Sequence, residues 1–292
     1  MKKIIALCGL IILLLSGCGS QVQTADIAAT TLPVYEFTMR LCQGTGLTVT
    51  RLVTESVSCL HDYSLNVNQV RAAEAADVIV LSGAGLEDFM ADILEGKQTV
   101  DASTGIALLE SCHDHDHGQE DDHGHAHEKD PHIWLAPENA KAMAANICTG
   151  LCAQYPQHQA TIESNLSALL TDIDGLQAYA DQQLFQLSNT QIITFHDGFS
   201  YLADAWDLTI VEAIEEESGS EASAAELQHI IGLVKQHQLT ALFTEANGSA
   251  SAASVIAAET GAAIYTLDMA MSGDSWFDAM YHNIDTLREA LQ

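Results

Sequence analysis

The chain has 292 residues, with 40 Asp and Glu against 10 Lys and Arg and a formal net charge of −30. So acidic a surface repels nucleic acid and anionic lipid and attracts cations. The length suits two compact domains or one large one.

Residues 1–17 read as a targeting segment. Lys2 and Lys3 are basic, and Ile4 to Leu15 is a twelve-residue apolar run, too short to span a bilayer, which takes about 20 residues. It ends in Leu15-Ser16-Gly17-Cys18, which resembles a bacterial lipobox, so Cys18 is the expected lipidation site. The mature chain is then expected at the extracytoplasmic face of the cell membrane, tethered by residues 18–24. Losing residues 1–17 removes two lysines and no acid, which makes the formal charge −32. Of seven cysteines, Cys8 leaves with the signal and Cys18 carries lipid. Cys42, Cys59, Cys112, Cys148 and Cys152 remain, in a compartment that permits disulfides. Cys148 and Cys152 are one helical turn apart and are expected to pack side by side rather than bond. The pairing of the others stays open.

A strand is expected over Asp26–Thr31, then a helix opening at Pro33 with Val34, Phe37 and Leu41 on one face. Leu47–Val53 alternates as a strand does. A helix over Val67–Ala75 and a buried strand over Asp77–Leu81 follow. This β-α-β-α-β order implies a parallel sheet. Gly83-Ala84-Gly85 lacks the third glycine of a dinucleotide fingerprint, so no nucleotide site is read there.

Between His113 and His127, six of fifteen residues are histidine and five are Asp or Glu. Lacking large apolar side chains, the stretch cannot form a core and is expected to be a mobile surface loop. Its imidazoles (His113, His115, His117, His123, His125 and His127) suit zinc, copper or nickel. A helix opens near Pro137 with Ala140, Met143, Ala144, Ile147 and Leu151 on its face. Pro156 opens a longer one, whose apolar residues recur from Ile162 through Leu166, Leu169, Ile173, Leu176, Ala180 and Leu184 to Leu187. That spacing lasts about 30 residues, or ~45 Å, enough to join two domains.

A second β/α series then starts. Its strands are expected at Gln191–Phe195, Thr209–Val211, Ala241–Thr244 and Ala263–Leu267. Its helices are expected at Phe199–Trp206, Ala224–His237, Ser251–Thr260 and Trp276–Leu291, with an acidic loop at Glu215–Glu221. The expected fold class is α/β: two doubly wound lobes with parallel sheets, joined by a long rigid helix.

Ligands of open α/β sheets bind beyond the carboxyl ends of the strands. His61, His132, His196 and Asp268 lie there or in the loops that start there, two from each half. Nitrogen ligands with one carboxylate suit zinc at ~2.0–2.2 Å. The chain resembles the metal-binding lipoproteins of bacterial ABC importers, the cluster that takes zinc or manganese, and the zinc-uptake branch in particular. The resemblance is carried by Ser58-Cys-Leu-His61-Asp-Tyr63, Ala76-Asp-Val-Ile-Val80 with Gly85-Leu-Glu87, and the histidine-rich stretch. Further on it is carried by Asp130-Pro-His132-Ile-Trp-Leu135, Thr194-Phe-His196-Asp-Gly-Phe199, Thr244-Glu-Ala-Asn247, and Leu267-Asp268 with Gly273-Asp-Ser-Trp276.

This resemblance spans essentially the whole mature chain. It implies a first lobe over 25–155 (with the histidine-rich stretch at 112–128), a linking helix over 156–188 and a second lobe over 189–292. It implies a metal ion held in the cleft by His61, His132, His196 and Asp268, and hand-over to a membrane ABC permease by a monomer without enzymatic activity. Leu60 and Met269 stand where the family usually has prolines, so both loops are expected to sit differently, and Glu245 or a water is the alternative to Asp268. Asp62 and Asp197 are candidates to orient an imidazole, or ordinary acids at helix N-termini.

Zinc is the expected cargo, because it binds nitrogen more tightly than the competing manganese does. Affinity is expected to fall as pH drops through ~6.5, where imidazole protonates. A zinc hydrolase is the main rival, with Glu245 as its base, but no His-Glu-x-x-His occurs. A surface adhesin or zinc buffer is the other, and it would depend on the histidine-rich stretch rather than on the cleft.

Overall fold

The computed structural model describes residues 25–57, 60, 63–110, 129–215, 222–246 and 250–292. Cys18, Cys59, His61, Asp62, Cys112 and all six histidines of the rich stretch lie outside the described residues. Strand β1 (Ile27–Ala29) leads into helix α1 (Leu32–Leu41), whose first turn holds Pro33; a proline is tolerated there because that N–H has no helical partner. Strand β2 (Val49–Arg51) follows. Helix α2 (Val67–Ala75) starts at a capping box in which Asn66 accepts from the Gln69 N–H and Gln69 accepts from the Asn66 N–H. Strand β3 (Val78–Leu81), a short α3 (Ala91–Leu94) and strand β4 (Thr99–Asp101) complete the first sheet.

Helix α4 (Pro137–Gln154) ends before Pro156, which opens a single 3₁₀ turn, and α5 (Gln159–Gln183) follows. At 25 residues, or about 37 Å, α5 is shorter than the apolar spacing suggests. Leu184 and Leu187 continue that spacing past the helix end and still pack on the core. The second series is β5 (Gln191–His196), α6 (Ser200–Ala205), β6 (Thr209–Glu215), α7 (Ala224–His237), β7 (Ala241–Glu245), α8 (Ala250–Thr260), β8 (Ala263–Leu267) and α9 (Trp276–Leu291). Ser223 caps α7 by accepting the Glu226 N–H.

The strands pair in parallel in two sheets, ordered β2-β1-β3-β4 and β6-β5-β7-β8. In each, the chain goes outward from a central strand, then crosses back to that strand's other side. The crevice at such a switch point is where open α/β sheets bind ligands. In the first sheet it lies between β1 and β3, in the second between β5 and β7.

One apolar core runs through both halves. It takes Phe37, Leu41 and Trp134 from the first, Ile162, Leu169 and Ile173 from α5, and Phe199, Phe243 and Trp276 from the second. Trp276, at the start of α9, packs edge-on against Phe37 of α1 at 5.1 Å between centroids, and its backbone N–H donates to Glu36. Its indole donates to the Trp134 carbonyl at 3.1 Å, while the Trp134 indole donates to the Met269 carbonyl at 2.7 Å. Cys148 and Cys152 sit with sulfurs 3.9 Å apart, packed and unbonded as expected.

Candidate metal centre

His196 is the last residue of β5, at the switch point of the second sheet, and is 3% exposed. Glu245 ends the adjacent β7 and is also buried, as is Asp197. His132 reaches the same place from the first half, on the turn that Asp130-Pro131 makes before α4. Its ring meets that of His196 edge to face, with centroids 5.3 Å apart and planes at 86°. Trp134 also packs edge to face with the His132 ring at 5.4 Å.

The His132 ring is held by Asp130. One oxygen, Oδ1, accepts the His132 backbone N–H and lies 2.8 Å from Nδ1. A carboxylate at that distance makes Nδ1 the protonated nitrogen and leaves the lone pair on Nε2, the form that ligates a metal. That Nε2 is buried without a hydrogen-bond partner among the described residues. An orphaned buried nitrogen costs free energy unless something outside the protein meets it, and a borderline cation fits that lone pair.

Asp268 follows β8 and is half-buried. Its Oδ1 accepts the Ala270 N–H at 2.7 Å. The buried Asn283 of α9 grips its backbone, accepting the Asp268 N–H and donating to the Asp268 carbonyl, both at 2.7 Å. The fold therefore brings His132 and His196 into contact and fixes the backbone of Asp268. Among the described residues no group of three or more His, Cys, Asp or Glu side chains is gathered closely enough to hold a metal ion; His61 lies outside them. Leu60 is buried in the core, and the Met269 carbonyl serves the Trp134 indole.

The switch point of the first sheet is closed by protein. Glu87 is buried there and accepts from the Thr30 hydroxyl at 2.6 Å and from the N–H groups of Ser82 and Gly83 at 2.8 and 3.0 Å. Burial outweighs these three donors and pushes its carboxyl up to about 7. Sequence reasoning gave no role to Asp130, Asn283 or Glu87. For Asp130 a local signal existed, an acid two residues before a candidate ligand on a proline turn. Asn283 acts across the fold and leaves no such signal, whereas Glu87 draws two of its three donors from the turn just before it.

Two parallel α/β halves, a long helix between them and paired histidines where they meet define a two-lobed α/β protein with a polar junction between its lobes. The sequence matches the family described as ZnuA, zinc-uptake complex component A, periplasmic, over residues 27–290, and the chain belongs to that family. It is 30% identical to the zinc-binding lipoprotein AdcA of Streptococcus pneumoniae over 310 residues, covering 99% of this chain and 61% of that protein. The chain thus spans about three-fifths of that relative's length. It is 27% identical to the high-affinity zinc uptake system protein ZnuA of Bacillus subtilis over 302 residues, covering 96% and 94% of the two chains. The crystal structure of the Zn(II)-bound ZnuA-like domain of S. pneumoniae AdcA superposes with a TM-score of 0.75 at 26% identity, over 92% of this chain and 99% of that one.

Proposed function

We propose that the chain is the extracytoplasmic solute-binding component of a high-affinity zinc importer. It captures the ion between a lobe spanning 25–155 and a lobe spanning 189–292, with residues 156–188 linking them, and delivers it to an ABC permease. The ligands are His61, His132, His196 and Asp268, with Glu245 the alternative to Asp268. The observation that carries this reading is the buried His132–His196 pair, with Asp130 fixing the tautomer of His132 and its Nε2 lone pair unmatched among the described residues.

The six histidines between His113 and His127 act as auxiliary weak sites that raise the local zinc concentration. The protein is a monomer anchored through lipid on Cys18, and it catalyses no reaction. Zinc is favoured over manganese because the paired donors are imidazole nitrogens, and because the relatives are named for zinc.

The test is a calorimetric zinc titration of the protein from Gln21 onward, beside forms lacking His113 to His127 and carrying His132→Ala or His196→Ala. One tight site that survives the deletion and is lost in both single variants supports the reading. A tight site that leaves with the histidine-rich stretch overturns it in favour of a zinc buffer or adhesin.

A further inference from the structure

The segment that presents His132 is held from the opposite half of the molecule. Tyr201 lies on α6, in the second half, and is 3% exposed. Its hydroxyl accepts the Leu109 N–H at 2.9 Å and donates to the Asp130 carbonyl at 2.9 Å. Leu109 and Asp130 also bond to each other, Asp130 N–H to Leu109 carbonyl at 3.1 Å. Just beyond them Glu110 and Lys129 form an antiparallel bridge and a 3.0 Å ion pair. One phenol thus closes a partly buried ring of three hydrogen bonds, and the Asp130 in that ring is the residue whose carboxylate sets the His132 imidazole. Donating its only proton to one partner and accepting from the other, the hydroxyl has a fixed place for each. Burial pushes the Tyr201 phenol up to about 12, so the donating proton stays on it across physiological pH.

Resting on the zinc-binding reading, we infer that Tyr201 is a positioning residue for the transported ion, holding the Leu109–Asp130 pair across the lobe junction so that His132 faces the cleft. Any separation of the lobes at this point breaks the two Tyr201 bonds, and with them the support of Asp130. Opening and loss of imidazole alignment then occur together, which gives a tight nitrogen site a route to release. Residues that orient a metal-ligating histidine typically account for 10–100-fold in affinity. Coupling of binding equilibria is reciprocal: if the Tyr201 contacts strengthen zinc binding, zinc must strengthen those contacts.

Tyr201→Phe removes the hydroxyl and keeps the ring. Zinc should dissociate at least tenfold faster from this variant in a stopped-flow chelator chase. The cobalt(II)-substituted form should show changed d–d band positions and intensities, a readout that a purely structural role would leave alone. Wild-type dissociation together with a wild-type cobalt spectrum overturns the inference. Hydrogen exchange at the Leu109 amide of the wild-type protein gives an answer even where the variant folds poorly. Zinc should slow that exchange, and exchange indifferent to zinc overturns the inference. His132→Ala separates the two levels. If it keeps the wild-type zinc affinity and cobalt spectrum, the ligand assignment fails and the role of Tyr201 fails with it. If His132→Ala loses the site while Tyr201→Phe behaves as wild type, only the inference about Tyr201 is wrong.

Discussion

Replacing Glu87 by Gln should change the shape of the protein's stability against pH. Glu87 is fully buried, and its carboxyl is raised from 4.5 to about 7. A group whose folded pKa lies above its unfolded value contributes stability that is fully present below the unfolded pKa. That contribution is lost as pH rises through the folded one. A displacement of roughly 2.5 units corresponds to about 3 kcal/mol in total, of which roughly 2.5 kcal/mol disappears between pH 5 and pH 8. Gln cannot ionise, so its stability should lack this slope. Its amide oxygen can still accept from Thr30 and Ser82, but an NH₂ would face the Gly83 N–H that now donates to Oε2 at 3.0 Å. That leaves a buried donor unmet, at a pH-independent cost of about 1–3 kcal/mol. Glu87→Gln should therefore be the less stable protein at pH 5 and should approach or overtake the wild type by pH 8. Urea denaturation of both metal-free proteins at half-unit steps from pH 5 to pH 8 measures the difference directly. A constant gap across the series would show that Glu87 does not titrate in the folded protein near neutrality, and the argument from burial would be refuted.

Asp130→Ala takes away the acceptor at His132 Nδ1 and should weaken zinc binding by about 10–100-fold, as read by competition with a chromogenic chelator; unchanged affinity would mean that the His132 tautomer is set elsewhere. Trp134→Phe removes the indole N–H that serves the buried Met269 carbonyl and leaves a cavity. It should cost about 2–4 kcal/mol, lowering the melting temperature by roughly 3–7 °C in a calorimetric scan. A melting temperature within a degree of the wild type would show that this link between the halves carries little of the stability.

Much of the fold was legible because local chemistry marked it. Helix α2, α7 and strand β8 occur at the residues expected, and the Asn66 and Ser223 caps give the two helices sharp starts. The stretch between Gly85 and Glu110 carried no such marks. Its strand β4 is three residues long with only Val100 buried, too short for alternation to stand out. Strand β6 runs on to Glu215 rather than stopping at Val211, because ladder pairing with β5 holds Glu215, the first residue of the expected acidic loop, in extended form.

At the site, His132 and His196 were legible as histidines at loop and strand ends. Their mutual contact was foreseen only as shared membership of one cleft. Tyr201 could not be found from sequence, since its partners lie 71 and 92 positions away. The tyrosine itself looks like one more apolar residue on the face of α6.

Trp276 bears on how the molecule is made. Its backbone N–H reaches Glu36 across 240 positions of chain, and its ring lies against Phe37. Helices α4 and α5 pack on most of α1, but the patch at Glu36 and Phe37 that Trp276 meets waits until α9 has been synthesised. At about 5–20 residues per second that interval is on the order of 10–50 s. During it the growing chain keeps the Phe37 ring without its Trp276 neighbour. The contact that ties α9 to α1 is therefore made late, after the strands of both sheets have emerged.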